Sequence, residues 1–266
     1  MGNAPRSRVP SLVVVIGAVT VLFLAVPLIG LLLKTSWSTL WSDLTSPVAL
    51  HAIRLSLVCS LWATGLSILF GVPLAWLLAR CEFPGKRIVR ALTILPMVLP
   101  PVVGGVALLL AFGRTGLLGR PLHALTGLQL TFSTAGAVLA ETFVAMPFLV
   151  ITVEAALVGT DTRFEDVAAT LGASRWTTFR RVTAPMISSS LLAGAALTWA
   201  RALGEFGATI TFAGNIQGRT QTLPLAVYLA LQGNEQVAIA LSLALVGISF
   251  AVLVALRGRW LGAVAS

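Results

Sequence analysis

Six long apolar runs, separated by shorter polar and basic segments, set the pattern of this 266-residue chain. A helix of about 20 apolar residues is long enough to cross the hydrocarbon core of a membrane. Since 57% of the residues are hydrophobic and only 10% are charged, a soluble domain could not bury the apolar surface. The pattern therefore predicts an all-α integral membrane protein with six transmembrane helices. We expect these helices at residues 12–33, 52–79, 91–112, 133–157, 186–213 and 236–256.

The first apolar run follows a polar tail, residues 1–11, that carries Arg6 and Arg8. A secretory signal peptide also begins with basic residues, but its apolar part is shorter and ends at a small-residue cleavage site. No such site stands out here. We therefore interpret 12–33 as a retained membrane helix.

Lysine and arginine are distributed unevenly between the loops. The two ends of the chain and the segments 80–90 and 160–185 carry 12 of them, against five in the other three loops. Because basic loops remain in the cytoplasm, both termini and segment 160–185 are expected on the cytoplasmic side of a prokaryotic inner membrane. This places cytoplasmic tails at 1–11 and 258–266. The formal net charge of +9 does not indicate a nucleic-acid partner, since the charges lie between apolar runs rather than on one patch.

The polar segment 162–185, TRFEDVAATLGASRWTTFRRVTAP, predicts a helix, a glycine break and a second helix. Thr162 is expected to cap the first helix, with Glu165 completing a capping box. Gly172 is expected to end that helix in a left-handed conformation, which glycine adopts at low cost. Pro185 fits the first turn of the membrane helix that follows.

The first helix of this segment is amphipathic. Phe164, Val167, Ala168 and Leu171 recur at helical spacing and share one face. On pattern alone, the segment is either an ordinary solvated loop between two membrane helices or an element that docks onto a partner.

The spacing resembles the cytoplasmic "EAA" loop in permease subunits of binding-protein-dependent ABC importers. That pattern reads E-A-A, three residues, G, nine residues, I, any residue, L-P. Asp166 and Ala168 occupy its first and third places, Gly172 its glycine and Pro185 its proline, with four conservative departures in all. In that family the loop is a coupling helix that docks into a groove of the ATPase subunit. The resemblance implies that Glu165, Asp166, Ala168, Gly172 and Pro185 couple this chain to an ATPase.

The chain lacks a phosphate-binding loop of its own. Such a loop has the form G-x-x-x-x-G-K-[ST], and neither of the two lysines, Lys34 and Lys86, stands in that pattern. We therefore expect no enzymatic activity and no bound cofactor or metal in this chain. ATP and Mg²⁺ are expected on a partner ATPase subunit.

Two apolar runs contain residues that disturb a membrane helix. Pro100 and Pro101 interrupt the hydrogen-bond ladder of the third run, either as a simple kink or as a bend that lines a transport path. Arg201 and Glu205 lie four apart in the fifth run and should face protein near the outer surface, because each charge would cost about 2.5–3.5 kcal/mol in lipid. This pair either locks helices together or borders a gate. Thr209 could offer a weak hydroxyl donor along a wet path.

The segments 201–215 (RALGEFGATITFAGN) and 218–228 (GRTQTLPLAVY) resemble the permease of molybdate importers. The segment LPMVLPPVVGG resembles the same branch, which also includes sulfate/thiosulfate permeases. The resemblance implies a type I ABC importer permease fold, with its core at 50–257, that moves molybdate or tungstate, with sulfate or thiosulfate as the alternative. Its implied partners are a second copy of the chain, a cytoplasmic ATPase dimer and an extracytoplasmic oxyanion-binding protein. Asn215 and Arg219 are the candidates for contact with that binding protein.

Two other classes of function are compatible with this composition. A self-contained secondary transporter would need ion-coupling residues in mid-membrane, for which Glu141 and Arg201 are the candidates. A membrane-embedded enzyme would need a catalytic group with a partner, and no clear pair stands out. Only the ABC permease hypothesis requires a separate ATPase.

Overall fold

The chain is helical, without a β-strand, across residues 10–264, which are the residues that the computed structural model describes; side chains are described as far as Val252 and at Val254. The helical elements, in chain order, are α1 (Ser11–Lys34), α2 (Leu40–Leu44), α3 (Pro47–Arg80), α4 (Lys86–Val98), α5 (Pro101–Phe112), α6 (Gly119–Thr126), α7 (Thr134–Gly159), α8 (Arg163–Thr170), α9 (Arg175–Thr178), a π-helical turn (Phe179–Thr183), α10 (Ala184–Met186), α11 (Ser188–Leu203), α12 (Gly207–Phe212), α13 (Leu223–Ala230) and α14 (Glu235–Val264).

Four helices are long and apolar enough to cross a membrane alone. They are α1, α3, α7 and the Glu235–Val252 part of α14. The other two predicted runs are bent pairs: α4 and α5 bend by 120°, and the helical stretch Arg175–Met186 bends by 75° relative to α11. The described part of the chain therefore has four unbroken spans, and six only if each bent pair counts as one.

The helix predicted at 91–112, with a kink or a bend at its prolines, is divided in two, because α4 ends at Val98 and α5 begins at Pro101. Leu99 and Pro100 between them have extended backbones, with ψ of 138° and 131°. Proline lacks the N–H that would continue the ladder and restricts the residue before it to extended conformations. The two consecutive prolines therefore separate two helices rather than kink one.

The predicted continuous helix at 186–213 is wrong. In the structure, α11 begins at Ser188 and ends at Leu203, and residues 204–206 separate it from α12. Gly204 and Gly207 flank this break, and glycine is a weak helix former. The Glu205 carboxylate accepts a hydrogen bond from the Ala208 N–H at 2.8 Å and so caps the start of α12.

Three short helices, α2, α6 and α13, lie between the expected membrane helices. The last helix continues to Val264, past its expected end at 256 and through most of the expected tail 258–266. Most of the expected N-terminal tail 1–11 lies outside the described residues.

The core forms where α3 and α7 pack side by side. Leu78 of α3 and Leu149, Val153 and Leu157 of α7 are fully buried in its largest cluster. Small residues bring a third helix close, since Ala63 of α3, Ala145 of α7 and Ala202 of α11 meet in one contact. Close approach through small residues is a common way for membrane helices to pack. In contrast, α1 has no buried residue and contacts α14.

Candidate functional site

The segment after α7 folds as two short helices joined at a glycine. Gly172 has φ of +82°, so the predicted left-handed conformation at this position is confirmed. A Cβ at Gly172 would meet no atom within 4 Å, and backbone conformation alone therefore favours glycine there. Ser174 begins the second helix and accepts a hydrogen bond from the Thr177 N–H at 3.2 Å.

The predicted capping box at the start of α8 is wrong. Thr162 stands at the N-cap with a helical backbone, and its side chain makes no capping bond. Asp161 accepts from the Arg163 N–H instead, at 2.9 Å. Glu165 is free for a tertiary contact because it does not reach back to the N-cap.

Glu165 connects segment 162–185 to the end of α3. Its Oε1 atom lies 3.0 Å from Nη2 of Arg80, the last residue of α3, and accepts from the Thr183 hydroxyl at 3.1 Å. Both side chains of the ion pair are largely buried. The Glu165 side chain therefore links α8 directly to the end of α3 and to the π-helical turn. Sequence reasoning missed Arg80, since no local pattern pairs residues this far apart.

The apolar face of α8 points away from the rest of the described chain. Phe164 and Val167 are more than half exposed, Leu171 is 83% exposed and Ala168 is partly covered. Asp166 is exposed beside them. Phe164 and Val167 on α8 and Leu171 at its C-cap form an exposed apolar patch, and such patches mark interaction sites. This face is therefore suited to docking.

An open cavity of about 390 Å³ lies between α8, α9 and the end of α3. Its lining includes Trp76, Arg80, Glu165, Asp166 and Phe179. The cavity thus lies between the end of a core helix and the side of α8 that carries Glu165 and Asp166.

Two further ion pairs stabilise the same end of the helix bundle. Arg90 of α4 pairs with Glu154 of α7, with its Nε at 3.0 Å from the carboxylate. Lys86 donates to Glu82 at 2.6 Å, and this hydrogen bond holds the pKa of the Glu82 carboxyl below its usual range. These pairs fix the start of α4 relative to α7 and to the segment before it.

Pro185 does not stand in the first turn of a long membrane helix, as its position predicted. It belongs to the short helix α10, is exposed, and precedes the 75° bend. The buried Ile187 follows at the bend, and α11 begins at Ser188.

The structure brings Arg201 and Glu205 together across the break in the fifth span. Nη2 of Arg201 lies 2.7 Å from Oε2 of Glu205, while Oε1 of Glu205 accepts from the Ala208 N–H. Glu205 is 1% exposed and Arg201 28% exposed. The pair therefore joins the end of α11 to the start of α12 and does not lie along one continuous helix.

The two interrupted spans meet at this break. A Cβ at Gly207 would lie 2.8 Å from Cβ of Pro101, and a Cβ at Gly105 would lie 2.6 Å from Cβ of Thr211. Only glycine permits so close an approach of α5 and α12. Pro101 is thus brought to the break, although both Pro100 and Pro101 are exposed. Thr209 is fully buried, with its hydroxyl facing protein rather than open space.

The stretch after α12 is folded into the protein. Thr220, Gln221 and Thr222 are buried, and the Leu223 N–H donates to the Ser56 hydroxyl of α3 at 2.6 Å. Asn215 is partly buried with its amide near the Leu225 carbonyl, at 3.5 Å.

Arg219 has an exposed side chain, and its carbonyl accepts from the Thr134 hydroxyl at 2.8 Å. Of the two candidates for contact with a binding protein, Arg219 is therefore the accessible one.

Known proteins resemble this chain along most of its length. The "Molybdenum transport system permease protein ModB" of Mycobacterium tuberculosis is 44% identical over 255 residues, which cover 96% of each chain. The "Sulfate transport system permease protein CysT" of Escherichia coli is 37% identical over 214 residues, 79% of this chain and 77% of that protein.

Solved structures share the fold at lower identity. A bacterial ABC transporter involved in the import of the acidic polysaccharide alginate contains a chain with a TM-score of 0.70 and 20% identity, covering 93% of both chains. The same kind of transporter in complex with its alginate pentasaccharide-bound periplasmic protein gives a TM-score of 0.68 at 20% identity, covering 94% of this chain and 91% of that one. Both chains share the all-helical fold of this protein.

The family model described as "Binding-protein-dependent transport system inner membrane component" matches residues 71–263, from the second half of α3 to the end of α14. It includes the docking face of α8 and the broken fifth span. The chain therefore belongs to the family of inner membrane components of binding-protein-dependent transport systems.

Proposed function

We propose that this chain is the permease subunit of an ATP-driven importer for molybdate or tungstate. One observation carries the choice of substrate: the similarity to molybdenum permeases extends over 96% of the chain at 44% identity, against 37% over 79% for a sulfate permease. The fold is that of a type I ABC importer permease. Sulfate or thiosulfate is the second candidate, supported by the similarity to the sulfate permease.

The energy for import comes from a separate ATPase dimer that docks on α8. The exposed apolar side chains of Phe164, Val167 and Leu171 supply the contact, and the ion pair between Glu165 and Arg80 carries its movement into α3. Gly172 sets the angle between α8 and α9 through its left-handed backbone. Asp166, Ala168 and Pro185 complete the coupling segment. ATP and Mg²⁺ bind to the ATPase, and this chain contributes no catalytic group.

The functional unit contains two copies of the chain, with both termini in the cytoplasm. The excess of basic residues on the segments around α8 supports this orientation. A periplasmic oxyanion-binding protein delivers the substrate at the opposite side, where Arg219 is exposed and Asn215 is partly exposed.

The translocation path through the membrane contributes little to the selectivity between oxyanions. Arg201 is the only cation between Ser188 and Phe212, and its charge is already balanced by Glu205 at 2.7 Å. A dianion therefore meets no concentrated positive charge at the break, and it can leave as readily as it enters. Selectivity belongs to the binding protein, which offers a rigid pocket before the ion reaches the membrane.

Exchanging the binding protein tests this division of labour. Cells that carry the whole system should take up labelled molybdate in preference to sulfate. After replacement of the binding protein by a sulfate-specific relative that still docks, the preference should follow the new binding protein. A preference for molybdate that stays with the permease would contradict the proposal.

Gly172→Val should uncouple transport without unfolding the helix bundle. A β-branched residue is disfavoured at φ of +82°, at a cost of roughly 1–2 kcal/mol or more, although its side chain would have space. We expect a marked loss of ATP-driven uptake, with normal membrane insertion. Gly172→Asn is the matched control, since asparagine tolerates this conformation, and it should retain most of the uptake. Equal uptake in both variants would exclude a role for the glycine conformation.

A further inference from the structure

The helical stretch Arg175–Met186, which runs through α9, the π-helical turn and α10, lies nearly across the fifth span. Its direction differs from that of α11 by 75°. We call this stretch the transverse segment. Only Ile187 separates it from α11, and from Ser188 to Phe212 the chain is long enough to cross a hydrocarbon core of about 30 Å. Ser188 therefore lies at the edge of that core.

The angle keeps the transverse segment near the level at which α11 begins. Arg180 precedes Ser188 by eight residues, which corresponds to about 12 Å at about 1.5 Å per residue. At 75° to α11, this length moves Arg180 only about 3 Å along the direction of the span, or about 7 Å if α11 itself tilts by about 20°. The headgroup layer on each side of a bilayer is about 5–7 Å thick. Arg180 and Arg181 therefore lie at the depth of the headgroups.

The two sides of the transverse segment differ in what they contact. Thr178, Phe179 and Thr183 line the cavity that the segment shares with α8 and the end of α3. Phe179 also packs against the largest core cluster. Arg180 and Arg181, which follow it, are exposed. One side therefore holds the segment to the bundle, and the other presents two adjacent guanidinium groups.

The two exposed arginines have no carboxylate within ion-pair distance among the side chains that the structure describes. Arg80 and Arg90, in contrast, are each paired with a glutamate. Two adjacent cations that the chain itself leaves unpaired are suited to an anionic partner. At the depth of the headgroups, that partner is an anionic phospholipid, because such lipids attract basic residues next to a membrane span.

An exposed tryptophan favours the same partner. Trp176 is 69% exposed, and its ring stacks on Phe179 with the ring centroids 5.8 Å apart. This stacking holds the indole against a residue that is itself packed on the core. Tryptophan is enriched at membrane–water interfaces, because its ring is largely apolar and its N–H group is polar. Arginine and tryptophan together are typical of helices that lie in the membrane interface.

We propose that the transverse segment is an interfacial anchor, in which Arg180 and Arg181 bind the phosphate groups of anionic phospholipids and Trp176 enters the same layer. A guanidinium group suits this ligand, because it can donate two parallel hydrogen bonds to a phosphate. The inference rests on the proposed orientation and places these lipids in the cytoplasmic leaflet. The docking face of α8 then meets the ATPase, while the segment that follows it holds to the membrane.

Native mass spectrometry of the purified complex with added phospholipid tests the charge contact. Phosphatidylglycerol should bind in preference to phosphatidylcholine with the same acyl chains. Each arginine near an anionic surface contributes about fivefold, so Arg180→Gln/Arg181→Gln should lower the affinity for phosphatidylglycerol about 30-fold. Arg180→Lys/Arg181→Lys keeps both charges and should keep the preference.

Arg163→Gln is the matched control, because it removes an exposed positive charge from α8, on the other side of the Gly172 turn. It should leave the binding of phosphatidylglycerol unchanged. An unchanged lipid preference in Arg180→Gln/Arg181→Gln would overturn the proposal. If that variant kept its lipid preference and lost its ATPase subunits during purification, the arginines would belong to the ATPase contact instead.

Fluorescence quenching of Trp176 tests the depth of the segment independently. The difference between the emission of the wild-type complex and that of Trp176→Phe isolates this side chain from the other tryptophans. In nanodiscs, lipids brominated near the headgroup end of their acyl chains should quench this difference signal, and iodide in the water should quench it only weakly. Strong quenching by iodide and none by the brominated lipids would place the segment in water and overturn the proposal. Neither measurement requires transport, so an error in the proposed substrate would leave both results intact.

Discussion

Leu171→Glu should abolish ATP-driven uptake while the helix bundle remains folded. The leucine is 83% exposed on the docking face of α8, so the free chain loses almost nothing when it is replaced. In a complex with an ATPase, the same position would be buried, and the glutamate would bring an unpaired charge into the contact. Central contacts of this kind are worth about 2–4 kcal/mol, which corresponds to a loss of affinity on the order of 30- to 1,000-fold.

Co-purification of the ATPase subunits, alongside uptake, measures this effect. Leu125→Glu is the matched control, because Leu125 is 86% exposed on α6, away from the docking face. That variant should retain its ATPase subunits and its uptake. If Leu171→Glu co-purified with normal amounts of ATPase, α8 would not be the docking element.

Arg201→Leu should strongly destabilise the permease. It would leave the Glu205 carboxylate, which is 1% exposed, without its counter-charge. Breaking a buried pair by removing one partner typically costs about 3–5 kcal/mol. The double variant Arg201→Leu/Glu205→Leu removes both charges and should regain part of the loss, although it also removes the cap on the Ala208 N–H.

The melting temperature of the detergent-solubilised protein measures this destabilisation. Arg163→Leu is the control, because Arg163 is exposed and lies 3.9 Å from its partner Asp161, and little change is expected. If Arg201→Leu had the same melting temperature as the wild type, the Arg201–Glu205 pair would not stabilise the junction between α11 and α12. A double variant that melted below the single one would mean that Glu205 contributes more as a cap than it costs as a charge.

The structure of the coupling segment, residues 162–185, could be predicted where a single residue determines the backbone conformation. Gly172 is such a residue, since a left-handed position after an amphipathic helix is typical of glycine. The capping role predicted for Glu165 was wrong, because a local rule considers only neighbouring residues. Its spacing from Thr162 fits a capping box, but its carboxylate instead accepts a hydrogen bond from Arg80, which is 85 residues away in sequence.

The interruptions of the membrane helices were only partly predictable. Pro100 and Pro101 show that the ladder must break, yet the 120° bend depends on how α5 packs against α12. The break at 204–206 was missed because an apolar run with two glycines still fits a membrane helix. Only the fold shows that Gly207 contacts Pro101 and that Glu205 caps a new helix.

The burial of the polar stretch before α13 could not be predicted from the sequence. The polar stretch from Asn215 to Thr222 has the composition of a solvated loop, but Thr220 and Gln221 are buried against the bundle. Likewise, an apolar run cannot show whether Glu141 faces lipid, a path or a packed interface. These properties arise from contacts between distant elements.

ATP-dependent molybdate uptake into proteoliposomes tests the central claim most directly. The vesicles contain this chain with its ATPase subunits, and the binding protein and labelled molybdate are added outside. With ATP enclosed, label should accumulate, and omission of ATP, of the binding protein or of this chain should each abolish accumulation. Accumulation without ATP or without the ATPase subunits would contradict the account, because the chain would then be a self-contained transporter.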